Sequence, residues 1–382
     1  MDWPFPPALY IEHDNNLKQL VKKLKNETLL AVDTESNSLH AYQERVCLVQ
    51  LSTRTHDYII DPLRIADMSP LGELLTNPKI EKVFHAAEYD LMCLKREYGF
   101  TVANLFDTMV AARVCGIKTL GLSRLLAEHC GVNMDKSHQR DDWGQRPISE
   151  EGLLYAQMDT HYLPILHDKM IEVLAQHGRT EEALETFLEA TKVIPPQLGF
   201  DPEGYWRMAI PSGLNRRQSA ILRELYLLRE DIAKERDCPP FKVFTDRMLL
   251  AIAEASPRHN HDLERVRGVP WLIAQRYARE VLQAVDRGKD MPLPRRPHRP
   301  PDVDPVVAER FTALRDWRKE RAEAREVESD VIMSKDALWE LAMRAPITVD
   351  ALQGIPGLGP WRLATYGEEL VNLIIRLRSE GL

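Results

Sequence analysis

Cysteine, positive charge and long apolar runs are all in short supply in this chain of 382 residues. The five cysteines, Cys47, Cys93, Cys115, Cys130 and Cys238, are odd in number, scattered and never spaced as CxxC. That argues against a disulfide framework and a zinc site, and leaves reduced core residues as the expectation. No stretch of about 18 apolar residues occurs, so no membrane-spanning helix is expected. The opening MDWPFPPALYIEHD carries an early acid and prolines where a secretory leader would be basic and apolar, and a cytoplasmic address follows. There is no GxxxxGK[ST] loop for nucleotide triphosphates.

The net charge of −8 looks wrong for a partner of nucleic acid until it is divided along the chain. Residues 1–200 carry −9, residues 201–300 carry +5 and residues 301–382 carry −4. An acidic part beside one basic segment fits a metal-binding site followed by a module that grips a polyanion. The length itself argues two or three domains, since single cores rarely exceed roughly 250 residues.

What is present is organised around LLAVDTESNSL at 29–39, an apolar strand-like run that ends in Asp33 and Glu35. Residues i and i+2 of a strand share a face, so the two carboxylates converge. Such a pair binds a hard divalent cation or shares a proton. Further strand-like runs at 46–53 and 56–61 predict an antiparallel meander with 28–35. From Leu71 helices alternate with short strands: a helix at 70–76, a strand at 82–86, a helix at 88–98 and a strand at 104–108. This predicts a layered α/β domain. The pattern from Thr119 to about Ala190 is helical, broken by the loop NMDKSHQRDDWGQRP and restarted at Ser149, an N-cap followed by two acids. In that helix Tyr155 precedes Asp159 by four residues, which places phenol and carboxylate on one face. Asp90 opens the helix at 88–98, and Asp107 follows a strand.

Taken in order, these residues resemble the DEDD superfamily of 3'-to-5' exonucleases, and the likeness to the ribonuclease D family runs over essentially the whole chain. Asp33 and Glu35 match its first motif, Asp90 in HAAEYDL its second, and Tyr155 with Asp159 its third; FDTMVAARVCG at 106–116 and KSHQRDDWGQRPISEEGLLYAQMDTHYL at 136–163 extend the match. The position five before Asp159, where a histidine marks the other class, is Leu154, so the tyrosine class is indicated. The resemblance implies an RNase H-like α/β fold and four carboxylates, Asp33, Glu35, Asp90 and Asp159, holding two ions of Mg²⁺ or Mn²⁺. In such hydrolysis two cations about 3.5–4 Å apart generate the nucleophile and absorb charge. Asp107 is expected to cap a helix, Glu88 to be solvated, and His85 either to touch substrate or to end its strand. Lys136, Gln139, Arg140, Trp143 and Arg146 could receive a strand by phosphate contact and stacking; a buried Trp143 pinning the loop is the competing expectation.

Residues 193–213, rich in Pro and Gly, read as a linker that packs on the catalytic domain. Beyond it a shift of 89 residues superimposes Leu225 on Leu314, Arg229 on Arg318, Arg236 on Arg325, Gly268 on Gly357 and Tyr277 on Tyr366. This is a tandem pair of helical modules, joined by GKDMPLPRRPHRPPDVDP. Each copy resembles the HRDC domain. The expected division is an exonuclease domain over 1–200 and all-α HRDC bundles over 213–290 and 306–382. Arg216, Arg217, Arg223, Arg265, Arg267, Arg276 and Arg279 make the first copy the better candidate for gripping RNA. In the second, GIPGLGPW at 354–361 could hold a phosphate on backbone N–H groups or serve architecture alone. The expectation is a 3'-to-5' exoribonuclease that releases nucleoside 5'-monophosphates and trims tRNA and other stable RNA precursors from single-stranded 3' ends. The alternatives are a DNA-directed exonuclease of the proofreading or Werner type and a non-catalytic RNA-binding protein.

Overall fold

The structure is a computed structural model that describes residues 5–134, 137–196, 199–297 and 303–382. A six-stranded mixed sheet forms the centre of the N-terminal part, with strand order β1-β4-β3-β2-β5-β6. The strands are β1 (Leu9–Ile11), β2 (Leu29–Ser36), β3 (Val46–Ser52), β4 (Asp57–Ile60), β5 (Glu81–Phe84) and β6 (Leu105–Asp107). The expected meander is present as the antiparallel ladders β2/β3 and β3/β4. Parallel pairing adds β5 and β6 on one side and β1 on the other. The three residues of β1 are too few to show a period of their own, and β4 supplies their register. Strand β2 lies in the middle of the sheet. Its first four residues, Leu29 to Val32, are wholly buried, as a run apolar on both faces requires.

Helices cover both faces. α1 (Asp14–Leu24) buries Leu17, Leu20, Val21 and Leu24, a stripe of period 3.6, at about 1.5–3 kcal/mol per leucine or valine. α2 (Ser69–Leu75) precedes β5, and α3 (Glu88–Tyr98) starts just beyond it and stops at Gly99, whose φ of 71° provides the left-handed C-cap. α4 (Thr108–Val114) and α5 (Leu122–Cys130) follow β6. Ser149 caps α6 (Glu150–His161) by accepting the Gly152 amide at 3.0 Å, as expected from the sequence. α7 (Leu163–His177) and α8 (Thr180–Ala190) complete this part. All five cysteines are free.

Two compact units form. One comprises the described residues of 1–36, 46–195 and 302–382, the other those of 37–45 and 196–301. The second helical copy therefore shares a unit with the sheet. It contains α16 (Pro305–Ala324), α17 (Ser329–Ile332), α18 (Lys335–Arg344) and α19 (Pro360–Ser379). Val327 and Val331 pack with the core of the sheet domain. Two buried ion pairs fasten the contact: Arg325 donates to Glu182, and Arg362 Nη1 donates to Glu185 at 2.8 Å. The turn GIPGLGPW is occupied from within the chain, because the Trp361 amide donates to Glu185 Oε2 at 2.7 Å. A carboxylate of α8 thus stands where a phosphate was one of the two expectations.

The other unit contains α9 (Trp206–Ser212), α10 (Arg216–Glu235), α11 (Pro240–Val243), α12 (Asp246–Ala255), α13 (Asn260–Glu264), α14 (Trp271–Arg276) and α15 (Ala278–Asp290). Tyr205, Trp206 and Ala209, read from sequence as a linker packing on the catalytic domain, are instead part of this bundle's core. The excursion 37–45 belongs to the same unit: the Tyr42 hydroxyl donates to Glu230 and its amide donates to Asp237 at 3.2 Å. The repeat extends to local detail. Asp237 and Glu326 both have positive φ, as do Ser256 and Ala345, and Arg229 and Arg318 each donate to the carbonyl 15 residues on. No helix among the described residues is long and apolar enough to cross a membrane.

Candidate active site

The C-terminal half of β2 emerges from the core where its burial pattern turns from buried to half-exposed, and this delivers Asp33 and Glu35 to the wall of a cleft. The ladder to β3 pairs Asp33 with Gln50 and Glu35 with Leu48, and the register slips between Glu35 and Ser36. α6 brings Asp159 against the same strand. One carboxylate oxygen from each of Asp33, Glu35 and Asp159 lies within 4.8 Å of the others. Asp90, in the first turn of α3, faces the same cleft and accepts a hydrogen bond from the Thr34 hydroxyl. Tyr155, one turn before Asp159, donates its hydroxyl to that carboxylate. The cleft has a volume of about 360 Å³, and all five residues singled out from the sequence line it.

Its electrostatics are those of an uncompensated acid cluster. Burial first, then repulsion from Asp90, Asp159 and Glu35, pushes Asp33 well above the carboxylate range. Glu35 is raised in the same way, by burial and by Asp159 and Asp90. Asp90 and Asp159 are each pushed up to about 7, mainly by burial, against the lowering effect of Thr34 on the first and Tyr155 on the second. Among the described residues no lysine or arginine forms an ion pair with any of the four. Buried carboxylates of this kind bind protons or a cation, and carboxylate oxygens are the hard donors that Mg²⁺ and Mn²⁺ prefer. The residues therefore fit a divalent ion.

The remaining candidates divide. Asp107 caps α4, accepting from the amides of Met109 and Val110, and also takes the amides of Ala86 and Ala87; it braces the turn that precedes Asp90. His85 lines the cleft and shares a hydrogen bond of 2.9 Å with Thr108. Glu88 is exposed. Trp143 is buried and stacks at 6.1 Å on Tyr155, so it pins the loop before α6. Arg146, considered from sequence as a phosphate contact, is consumed internally. It forks onto Asp61 at 2.6 and 2.8 Å and donates to the carbonyls of Cys47, Trp143 and Gln145. Gln139 lines the cleft, Arg140 is exposed, and Lys136 lies outside the described residues. Sequence reasoning missed Thr34, which the period of two places opposite Asp33 and Glu35, and the buried Gln50 beside Asp33, whose amide has no partner among the described residues.

A sequence profile described as a 3'-5' exonuclease matches residues 9–175, and the HRDC domain matches 218–285 and again 307–374. The ribonuclease D of Gluconacetobacter diazotrophicus is 31% identical over 375 residues, covering 97% of this chain and 93% of its own. The chain belongs to the ribonuclease D family. Like other ribonuclease D chains it is an exoribonuclease, with an α/β exonuclease domain followed by HRDC domains. The crystal structure of Escherichia coli RNase D, described as an exoribonuclease involved in structured RNA processing, aligns over 97% of this chain and 99% of that one, with a TM-score of 0.66 and 26% identity. Human exosome complex component 10 is 34% identical over 298 residues, which span 75% of this chain but 33% of that protein.

Proposed function

We propose that this ribonuclease D relative removes nucleotides one at a time from single-stranded 3' ends of tRNA and other stable RNA precursors in the cytoplasm, releasing nucleoside 5'-monophosphates. The observation that carries the reading is the convergence of the buried Asp90 and the half-buried Asp33, Glu35 and Asp159 beside a tyrosine in one cleft, with no lysine or arginine paired to them among the described residues. Asp33, Glu35, Asp90 and Asp159 are the ligands in this reading, for two divalent ions that supply a nucleophilic water at neutral pH and charge compensation. Tyr155 has its hydroxyl pKa raised by burial and by Asp159, so it stays protonated and works as a hydrogen-bond donor, not as a base. In that role it orients the attacking oxygen, which displaces the 3' oxygen of the preceding nucleotide from phosphorus and leaves a free 3'-hydroxyl on the shortened RNA. Asp107 and the Trp143–Arg146 loop hold the two elements that carry Asp90 and Tyr155. The exonuclease domain over 1–200 does the chemistry, and the bundles over 213–290 and 306–382 serve binding and architecture respectively. The test is digestion of a 3'-extended tRNA and of single-stranded DNA side by side, with and without EDTA. EDTA-sensitive mononucleotide release from the tRNA supports the reading; preference for DNA, or release that survives EDTA, overturns it.

A further inference from the structure

The two helical copies show the same arginine–tyrosine pair in two different situations. In the second copy Arg325 Nη1 donates to the Tyr366 hydroxyl at 2.6 Å, and the same guanidinium holds the Glu182 carboxylate. Shifted back by 89 residues, Arg236 Nη1 donates to the Tyr277 hydroxyl, also at 2.6 Å. Yet Arg236 is exposed, and among the described residues no carboxylate meets it. The fold thus builds an anion-holding corner twice and satisfies it from within the chain once.

The surroundings of the open corner differ from those of the filled one in a consistent direction. Arg362, which holds Glu185 in the second copy, corresponds to Ile273, so no second buried cation waits for a carboxylate. Pro360 corresponds to Trp271, which is 59% exposed, and Trp361 to Leu272, which is 71% exposed. The Arg276 guanidinium lies 5.4 Å from the centre of the Tyr277 ring, and its side chain, like those of Arg265 and Arg267 before α14, faces solvent. Two cations at Tyr277, with an exposed indole at the start of α14, suit a chain that alternates charge and flat rings.

We propose that the first bundle binds the backbone of single-stranded RNA at Arg236 and Arg276, with a base stacked on Trp271. The carboxylate of Glu182 in the second copy is then the internal counterpart of the RNA phosphate. This also sorts the arginines that the sequence grouped together: Arg216 and Arg217 donate to the carbonyls of Leu293, Pro294, Gly288 and Met291, and Arg223 pairs with Glu203 and Glu224. Those three are structural. The proposal rests on the reading that RNA is the substrate, and the test separates the two.

In the full-length chain, Trp271→Ala and Arg276→Gln, singly and together with Arg236→Gln, are compared by fluorescence anisotropy on a labelled RNA hairpin with a 3' tail. EDTA is present to stop hydrolysis. A lost base stack, about 1–3 kcal/mol, predicts affinity about 5- to 150-fold weaker for Trp271→Ala. Each arginine removed should lower the slope of log affinity against log salt by about 0.7. With Mg²⁺ in place of EDTA the parent chain should turn over a short oligoribonucleotide, and that arm fails separately if the RNA reading itself is wrong. Thermal unfolding of Trp271→Ala and Arg276→Gln, both exposed positions, reports whether folding is intact; Arg276→Glu, which reverses the charge, should weaken binding further. Affinity and salt slope within twofold of the parent would overturn the proposal. So would unchanged RNA binding combined with weakened binding of an acidic peptide of the α8 sequence, which would make the face a protein-docking surface.

Discussion

Replacing Glu185 by alanine should loosen the second bundle from the sheet domain without touching the chemistry. The carboxylate is buried and accepts from the Trp361 amide at 2.7 Å and from Arg362 Nη1 at 2.8 Å. Removing one member of a buried ion pair typically costs about 3–5 kcal/mol, because the other charge is left without compensation. Here Arg362 keeps hydrogen bonds to the carbonyls of Val331 and Ile332 at 2.9 and 3.0 Å, so the lower end, about 3 kcal/mol, is expected. Glu185→Gln retains an acceptor for the amide and exchanges a charged for a neutral partner, which should cost about 1–1.5 kcal/mol. For a unit of this size about 3 kcal/mol corresponds to roughly 5–10 °C in its melting temperature. Calorimetry on the single variants and on Glu185→Ala combined with Arg362→Ala closes a double-mutant cycle, in which the two losses should be strongly non-additive. Affinity for structured RNA should stay at the parent value. A loss under about 1 kcal/mol, or an additive cycle, would refute the fastening role. A gain in RNA affinity would mean that the turn at 354–361 is a phosphate site that Glu185 merely blocks.

Three further outcomes follow from the acid cluster. Asp33→Asn and Asp90→Asn should each abolish mononucleotide release while hairpin binding in EDTA persists; parent-like release by Asp90→Asn would remove that residue from the ligand set. Tyr155→Phe should lower kcat by roughly 10² or more, with metal affinity by calorimetry near the parent value, since no ligand is lost; loss of metal binding would contradict the orienting role. Asp90 and Asp159 are raised to about 7 in the fold, so the metal-free protein binds more protons folded than unfolded. Their contribution is fully present below about pH 4 and is lost as pH rises through about 7. In EDTA the melting temperature should therefore fall between pH 5.5 and 8. The stabilisation by Mg²⁺ should be larger at pH 8, where protons no longer compete, and an equal shift at both pH values would rule this linkage out.

How much of this was legible beforehand depended on the range of each interaction. Asp33 with Glu35, and Tyr155 with Asp159, are set by the periods of a strand and a helix, so their pairing could be read within five residues of chain. The 89-residue repeat was equally legible, since each copy carries its own core and turn residues. Uses decided by distant partners were not. Arg146 and Arg216 look like phosphate ligands in a line of letters, and become braces only because Asp61 and the carbonyl of Pro294 arrive beside them. Thr34 meets Asp90 because α3 is packed at the end of β2. Tyr205 and Trp206 sit in a proline- and glycine-rich stretch that resembles a linker, yet the bundle buries them because large aromatic area is worth removing from water. Nothing in the local sequence singles out Glu182 and Glu185 on α8. Only the tertiary structure brings Arg325 and Arg362 onto them, making one helical copy part of the sheet domain's unit and leaving the other copy's arginine open to solvent. Local periodicity sets which way a side chain leaves its own element, whereas the charge it meets there is set by an element far away in the chain.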